Sequence, residues 1–296
     1  MGFYIQARFM STEDFYSRPD AKGLVWPFDD KKLNDYPISL FVDYIPSVDE
    51  LKVNPYNMLM IMEPNEFFGL HTFAERNAHH FTCILTWDKH ILDNFDNSVF
   101  IPHGLSWLKM SYVDSFNDIT KKFEVSYLCG VKNLIEGHFL RQKLYKRDNE
   151  ILIPKKWFYK LPDCMWNEKA NEYFRTDFDE KKICWDESMF HIAIENVRHH
   201  NFYTEKILDA FLTKTIPIYY GCPNIDEFFN SKGIITFNNE DEAVKICNSL
   251  TESDYYDRID AVNENYEIAK SKFYWRDMVR DWIWDFIKEN DIRRII

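Results

Sequence analysis

Two patterns of hydrophobic and polar positions alternate along this chain. Short apolar runs are typical of buried strands, and longer segments with apolar residues every three or four positions are typical of amphipathic helices. The predicted strands are Phe3–Phe9, Ile38–Ile45, Met58–Met62, Cys83–Asp88, Ser98–Ile101, Phe123–Leu128, Phe190–Ile194, Ile216–Tyr220 and Gly233–Phe237. The predicted helices are Glu136–Tyr145, Thr204–Leu212, Asp241–Leu250, Glu252–Phe273 and Trp275–Ile287. This alternation favours an α/β fold with parallel sheets.

The length of the chain favours two domains. With 296 residues, the chain can form one large core or two moderate ones, and its length alone favours two domains. We place a first domain at 1–110, a second at 111–275, and a carboxyl-terminal helix at 276–296. The segment 151–182 mixes prolines, charges and aromatic residues, and we interpret it as a loop-rich connection.

Composition and charge exclude some classes of function. The formal net charge of −12 comes without a sustained basic stretch, which argues against a nucleic-acid partner. The six cysteines are widely spaced and form no CxxC pair, so we expect reduced, buried thiols rather than a zinc site. No stretch of the sequence has the length and apolar character of a signal peptide or a membrane span.

The segment from Phe190 to Phe229 concentrates the candidate chemistry. Its first strand ends abruptly in Glu195-Asn196, and Thr204 is suited to cap the next helix. Lys206 then falls in the first turn of that helix, where the helix dipole disfavours a cation unless an anion lies beside it. After the second strand, we expect Gly221 to form a tight turn into a helix that Asn224 and Glu227 cap as a pair.

These residues resemble the donor-binding signature of the α1,3/α1,4-fucosyltransferase family. The resemblance is carried by Ile194-Glu195-Asn196, by Phe202-Tyr203-Thr204-Glu205-Lys206 and by Ile216-Pro217-Ile218-Tyr219-Tyr220-Gly221. It is dense over about forty residues and weaker upstream. It implies a GT-B fold, in which two Rossmann-like domains face each other across a cleft and the carboxyl-terminal helix crosses back to the first domain. It also implies inverting transfer of fucose from GDP-fucose to a glycan or oligosaccharide acceptor, with no metal required for the chemistry.

The resemblance also assigns roles to single residues of the second domain. It implies that Arg141 contacts the donor pyrophosphate, as a planar, bidentate cation would, and that Lys206 neutralises the departing diphosphate. Glu205 would accept hydrogen bonds from the ribose. Glu195 and Asn196 would lie near the sugar or hold the loop. The set of expected donor-binding residues is Arg141, Glu195, Asn196, Phe202, Tyr203, Thr204, Glu205 and Lys206.

One position departs from the family pattern. The family usually has tyrosine where Phe202 stands, so a hydroxyl contact to the donor is lost unless Tyr203 or His200 supplies it. This change bears on the identity of the donor sugar more than on the diphosphate site. His199 and His200 are otherwise interpreted as an exposed loop pair, because no further metal-ligand partners accompany them.

Glu63 is the expected general base. Inverting transfer needs a group that takes the proton of the acceptor hydroxyl. The family uses a glutamate in a Gly-Glu-Asn segment after an equivalent strand, and Met62-Glu63-Pro64-Asn65 is similar to that segment without its glycine. Glu66 is the second candidate, and from the residues alone either carboxylate could simply solvate a strand end or cap a helix.

Three functions remain open from the sequence. The favoured one is a GDP-fucose-dependent inverting transferase. The alternatives are a GT-B transferase that uses another nucleotide sugar, and a non-catalytic glycan-binding protein of the same fold. Asp177-Phe178-Asp179 has the letters of the metal motif of a GT-A transferase but follows no predicted strand. Animal members of the family carry a membrane anchor, so its absence here predicts a bacterial-type or viral-type cytoplasmic protein.

Overall fold

A computed structural model describes most of the chain. The described residues are 1–8, 10–11, 31–103, 106, 108, 113, 120–160, 164–167, 172–175, 184–272 and 275–295. The Asp177-Phe178-Asp179 motif lies outside them. The chain divides into two compact units, of which the first comprises Met1–His103 with Trp275–Ile296 and the second comprises Gly104–Tyr274.

The first unit is built on a six-stranded sheet with the order β2-β1-β3-β4-β5-β6. Five strands are parallel, and only the short β2 pairs antiparallel with β1. The strands are β1 Tyr4–Ala7, β2 Met10–Ser11, β3 Ile38–Val42, β4 Tyr56–Ile61, β5 Cys83–Thr86 and β6 Ser98–Phe100. Every residue of β3 and β5 is buried, as is typical of parallel strands that are covered on both faces.

The helices of the first unit are short, apart from the last one. They are α1 Asn65–Phe68, α2 Leu70–Asn77, α3 Lys89–Asn94 and α9 Trp275–Glu289. The amphipathic pattern predicted for the carboxyl-terminal helix is confirmed where side chains are described, because Val279, Ile283 and Ile287 are buried. In α9, the Phe286 ring packs edge-on against Tyr56 of β4.

The second unit is built on a seven-stranded sheet with the order β10-β9-β8-β7-β11-β12-β13. Its strands are β7 Lys122–Gly130, β8 Lys155–Lys160, β9 Cys164–Asn167, β10 Glu172–Arg175, β11 Ser188–Ile194, β12 Ile216–Tyr220 and β13 Ile235–Thr236. The five strands from β8 to β13 in this order are parallel, and β9 and β10 extend the sheet antiparallel. Both units are therefore α/β layers of the Rossmann type.

Helices cover both faces of this second sheet. They are α4 Glu136–Tyr145, α5 Glu205–Leu212, α6 Glu240–Ser249, α7 Glu252–Tyr256 and α8 Ile259–Lys272. One buried cluster joins the sheet to α4, α6 and α7, and another joins the opposite face to α5 and α8. The carboxyl ends of β7, β8 and β11 lie side by side, and ligands of open α/β sheets bind at such ends.

Three sequence predictions about the fold are wrong in detail. The connection interpreted as loop-rich contains β8, β9 and β10, and the charged residues of β8 and β10 hid their strand pattern. The helix predicted over Glu252–Phe273 is two helices. The helix predicted after Asn224 is a single 3-10 turn, Ile225–Glu227, without a side-chain cap.

Candidate active site

The first turn of α5 is fixed by a buried carboxylate. Thr204 caps α5, as predicted, through its side chain to the Lys206 N–H. Glu195 is fully buried and accepts hydrogen bonds from the Thr204 N–H at 2.9 Å and from the Thr204 hydroxyl at 2.7 Å. Both carboxylate oxygens of Glu195 are thus used inside the protein, so its contacts support the second of its two expected roles, that of holding the loop.

Two glycines let other segments approach Glu195, Gly221 at its side chain and Gly137 at its backbone. A Cβ atom on Gly221 would lie 2.5 Å from Glu195 Cγ and 2.3 Å from the Tyr219 hydroxyl. A Cβ atom on Gly137 would lie 1.8 Å from the Glu195 carbonyl oxygen. Neither glycine has a positive φ. The turn predicted at Gly221 therefore needs glycine for close packing rather than for backbone conformation.

Lys206 lies in a cluster of opposite charges. Its ammonium is 2.9 Å from Glu205 Oε1, 3.0 Å from the Thr204 hydroxyl and 3.6 Å from Glu195 Oε2. Burial opposes the charged form, but the Glu205 and Glu195 carboxylates outweigh it and raise the pKa of Lys206 above its ordinary value. The anions that compensate for a cation in the first turn of α5 are thus the protein's own carboxylates, and Lys206 stays protonated at neutral pH.

Arg141 lies on α4, and two hydrogen bonds fix the direction of its guanidinium. Its Nη2 donates to Asn196 Oδ1, and its Nε donates to the Gly137 carbonyl at 3.2 Å. The Gly137 N–H in turn donates to the Asn196 carbonyl at 2.9 Å. Asn196 therefore fixes both the helix and the guanidinium, a role that the sequence did not specify.

A pocket opens at the carboxyl ends of β7, β8 and β11. Its lining includes three of the predicted residues, Arg141, Glu205 and Lys206. The described residues around it are Leu128, Gly130, Arg141, Lys160, Trp185, His191, Ile192, Ala193, Ile194, Glu205 and Lys206. Three cations and one carboxylate among these residues make the lining net positive, which suits a diphosphate.

Lys160, Trp185 and His191 line this pocket and were not predicted. Burial lowers the pKa of His191 to about 3, with a further contribution from Lys121, so its imidazole is neutral. Lys160 ends β8 directly beside Gly130 of β7. The position of Lys160 at a strand end is a signal that could have predicted its place in the pocket, but the sequence analysis did not predict a strand there.

Phe202 and Tyr203 are fully buried and are absent from the described pocket lining. The ring of Tyr203 packs against Phe228 and Phe229, with centroids 5.0 and 5.4 Å away. Tyr203 thus belongs to the core of the second unit, and contact of either residue with the nucleotide sugar stays a prediction. His199 and His200 are exposed, as expected for a loop pair.

In the first unit, Glu63 follows β4 at the carboxyl edge of the sheet. Its side chain is partly buried, and its Oε2 atom is buried with no hydrogen-bond partner among the described residues. Glu66 is exposed in the first turn of α1, as a solvated carboxylate would be. The two carboxylates therefore lie in different environments, and Glu63 has the more constrained one.

Asp43 is a buried carboxylate beside Glu63. It follows β3 in the left-handed conformation, with φ of 47°, and its Oδ1 accepts the N–H groups of Met62 at 2.8 Å and Glu63 at 3.1 Å. Burial is the main cause that raises the pKa of Asp43 to about 6; these two hydrogen bonds oppose the rise, the Glu63 charge adds to it and His103 lowers it.

We expect the Asp43→Asn variant to be more stable than the parent above pH 6 and equally stable near pH 4. The folded pKa of Asp43 lies above its unfolded value, so the contribution of its protonation to stability is complete below pH 4 and is lost as the pH rises through 6. At pH 7 the ionised Asp43 therefore lowers the free energy of unfolding by on the order of 3 kcal/mol. Thermal unfolding from pH 4 to pH 7.5 measures it. A difference between the two proteins that is independent of pH would contradict this assignment.

Neither unit shows a metal site or a membrane helix in its described part. The described His, Cys, Asp and Glu side chains form no group of three or more that could hold a metal ion. None of the described helices has the length and apolar character needed to cross a membrane.

The overall fold is that of GT-B glycosyltransferases. A crystal structure of an α1,3-fucosyltransferase is similar to this chain with a TM-score of 0.56 and 17% sequence identity, over 89% of this chain and 82% of that one. A crystal structure of an α1,3-fucosyltransferase with GDP-fucose gives a TM-score of 0.50 at 16% identity, over 93% and 90%. At these identities the similarity shows the fold alone.

Sequence comparison finds matches in one family. Residues 164–289 match the model described as glycosyltransferase family 10 (fucosyltransferase) C-term. Over 58 residues the chain is 41% identical to the alpha-(1,3)-fucosyltransferase FucT of Helicobacter pylori, a match that covers 19% of this chain and 12% of that protein. Within residues 164–289 the chain is similar to the glycosyltransferase family 10 fucosyltransferases, in agreement with the resemblance noted in the sequence.

Proposed function

We propose that the protein is an inverting glycosyltransferase that transfers L-fucose from GDP-fucose to a hydroxyl of a glycan acceptor, in an α1,3-type linkage. The observation that carries this proposal is the pocket at the strand ends of the second unit, where Asn196 orients the Arg141 guanidinium and Glu195 and Glu205 keep Lys206 charged. The match to the family 10 model and the names of the relatives support fucose as the sugar.

The arrangement of cations suggests how the donor is held. The diphosphate would lie against Lys206, Arg141 and Lys160, and Glu205 would accept hydrogen bonds from the ribose. The aromatic rings of Trp185 and His191, whose centroids are 5.2 Å apart and whose planes are inclined by 49°, line the same pocket. A net positive lining with aromatic side chains beside it suits a nucleoside diphosphate.

In the reaction, the acceptor oxygen forms a bond to C1 of fucose while the bond from C1 to the diphosphate oxygen breaks. The proton of the acceptor hydroxyl goes to Glu63, and the electron pair of the broken bond leaves with GDP. Lys206 and Arg141 offset the negative charge that develops on the diphosphate. This task is given to a divalent ion in many other transferases, and we propose that no metal is needed here.

We propose a cytoplasmic location, as for a bacterial-type or viral-type member of the family. The support is that Cys83, Cys129, Cys222 and Cys247 are buried free thiols, as in proteins of reducing compartments.

We expect GDP to stabilise the protein more than UDP does, and EDTA to leave the difference intact. A ligand at 100 times its dissociation constant raises the free energy of unfolding by about 2.7 kcal/mol, because it binds only the folded state. A thermal-shift panel of GDP, UDP, CMP and their sugars, with and without EDTA, measures this.

The same panel separates the proposal from the second candidate. Phe202 lacks the hydroxyl that the family usually has at this position, and Tyr203, which could have supplied it, is buried against Phe228 and Phe229. This favours a GT-B transferase with another donor as the alternative. An equal or larger shift with UDP would support that alternative. A shift with GDP and no sugar transfer to any acceptor would favour a non-catalytic glycan-binding protein.

A further inference from the structure

The peptide groups of Met62 and Glu63 are held entirely by side chains. The N–H groups of both residues donate to Asp43 Oδ1, at 2.8 and 3.1 Å. The Met62 carbonyl accepts from Trp87 Nε1 at 2.7 Å, and the Glu63 carbonyl accepts from His71 Nε2 at 3.2 Å. All four backbone polar groups of this dipeptide are therefore hydrogen-bonded, and their partners are the side chains of Asp43, His71 and Trp87. We call these three residues the Glu63 frame.

The frame joins three neighbouring parts of the first sheet. Asp43 follows β3, Met62 and Glu63 follow β4, and Trp87 follows β5, which are adjacent strands. His71 comes from α2. All three frame residues are buried. The dipeptide is thus tied to rigid elements on both sides, rather than to the exposed turn that follows it.

His71 is held at both of its ring nitrogens. Its Nε2 faces the Glu63 carbonyl and its Nδ1 lies 2.8 Å from Asp88 Oδ2. Burial alone would raise the pKa of Asp88, but the contact with His71 and the backbone hydrogen bond from Ile91 outweigh it and lower that pKa. Asp88 also caps α3 through the Ile91 N–H at 2.9 Å, which fixes the pair in turn.

The Glu63 side chain has no comparable support. Its Oε2 atom is buried without a hydrogen-bond partner among the described residues. The direction of the carboxylate is therefore set by the backbone from which it extends, and that backbone is set by the frame. Asp43 also costs stability, because it is a buried acid in a left-handed conformation beside another carboxylate. Local cost of this kind is typical of residues that serve function.

We propose that Asp43, Trp87 and His71 are positioning residues that aim Glu63 at the acceptor hydroxyl. This inference rests on the proposed function, in which Glu63 is the general base. Proton transfer depends steeply on geometry, and a displacement of about 1 Å in a catalytic group can cost on the order of 100-fold in rate. The frame acts on the chemical step and leaves donor binding in the second unit unchanged.

Four variants of the full chain test the proposal. We expect Asp43→Ala and Trp87→Phe each to lower kcat by about 10-fold or more, with KM for GDP-fucose changed by less than about threefold. Asp43→Asn keeps an acceptor oxygen and a residue type that tolerates a positive φ, so it should restore kcat to within about threefold of the parent. Trp157→Phe is the matched control, because the Trp157 indole N–H has no hydrogen-bond partner among the described residues and its loss should leave kcat unchanged.

A double variant separates positioning from a general structural effect. If Asp43 acts through Glu63, adding Asp43→Ala to Glu63→Gln should lower the residual rate by less than about twofold, because the base it positions is already absent. Parent-like kcat in both Asp43→Ala and Trp87→Phe would overturn the proposal. So would a loss from Asp43→Ala that is as large in the Glu63→Gln background as in the parent. If Asp43→Ala does not fold, as judged by thermal unfolding and GDP binding, Trp87→Phe alone and combined with Glu63→Gln decides the question.

The same panel shows separately whether the proposed function fails. An absence of transfer by the parent would contradict fucose transfer, and a parent-like rate in Glu63→Gln would contradict the assignment of the base. Loss of activity in Glu63→Gln together with parent-like rates in the frame variants would contradict only the positioning role of the frame.

Discussion

Replacing Glu63 with glutamine should nearly stop transfer while GDP and the donor still bind at near-normal affinity. Glutamine keeps the shape of the side chain but cannot take a proton, and the loss of a general base typically costs on the order of 10²- to 10⁴-fold in rate. Single-turnover rates with bound donor measure the chemical step, and thermal shifts with GDP measure binding.

Glu66→Gln is the matched control for this variant. Glu66 is three residues further along the chain, carries the same chemistry and is exposed in the first turn of α1. Its loss should cost at most a few tenths of a kcal/mol in stability and nothing in rate. A parent-like rate in Glu63→Gln, or a loss of transfer activity in Glu66→Gln, would show that the base is assigned to the wrong residue.

The second large effect is expected at Lys206. In Lys206→Gln the side chain can still bond to Thr204 and Glu205, but the charge that offsets the departing diphosphate is lost. Removal of one group that stabilises developing negative charge costs on the order of 10²- to 10³-fold in kcat. Arg141→Lys keeps the charge and loses the planar fork that bonds to Asn196, so we expect mainly weaker donor binding.

These variants need a control for folding, because Lys206 compensates for buried carboxylates. Glu195 is fully buried and lies 3.6 Å from the Lys206 ammonium, so removal of the cation also lowers stability. Lys143→Gln removes a mostly exposed cation of α4 and should change neither kcat nor KM. A folded Lys206→Gln protein with the parent's rate would exclude Lys206 from the diphosphate site.

Local patterns in the sequence predicted the central part of the second unit closely. The apolar run that ends at Glu195, the cap at Thr204 and the helical spacing of Ile207, Leu208 and Phe211 all correspond to observed elements. Each depends on residues within one turn or one strand of each other. Hydrophobic periodicity and capping report such short-range structure directly.

The same patterns could not show which way loop side chains face. Tyr203 was one of two residues that could supply the missing hydroxyl at the donor, and it packs on Phe228 and Phe229, some 25 residues away in the chain. An aromatic residue in a loop gains most from whichever apolar surface the fold brings to it. Glu195 likewise turned inward, because the unpaired N–H of a helix start lay within its reach.

The sequence by itself determined the α/β class, the resemblance to the fucosyltransferase family, and the chemistry of the residues at the strand ends. Only the tertiary structure decided which of those residues meet. Lys160 enters the pocket because β8 pairs with β7, and Asp43, Trp87 and His71 surround Glu63 because β3, β4 and β5 are neighbours in one sheet. Strand order is set by long-range packing among all the elements, so it leaves no local trace in the sequence around any one of these residues.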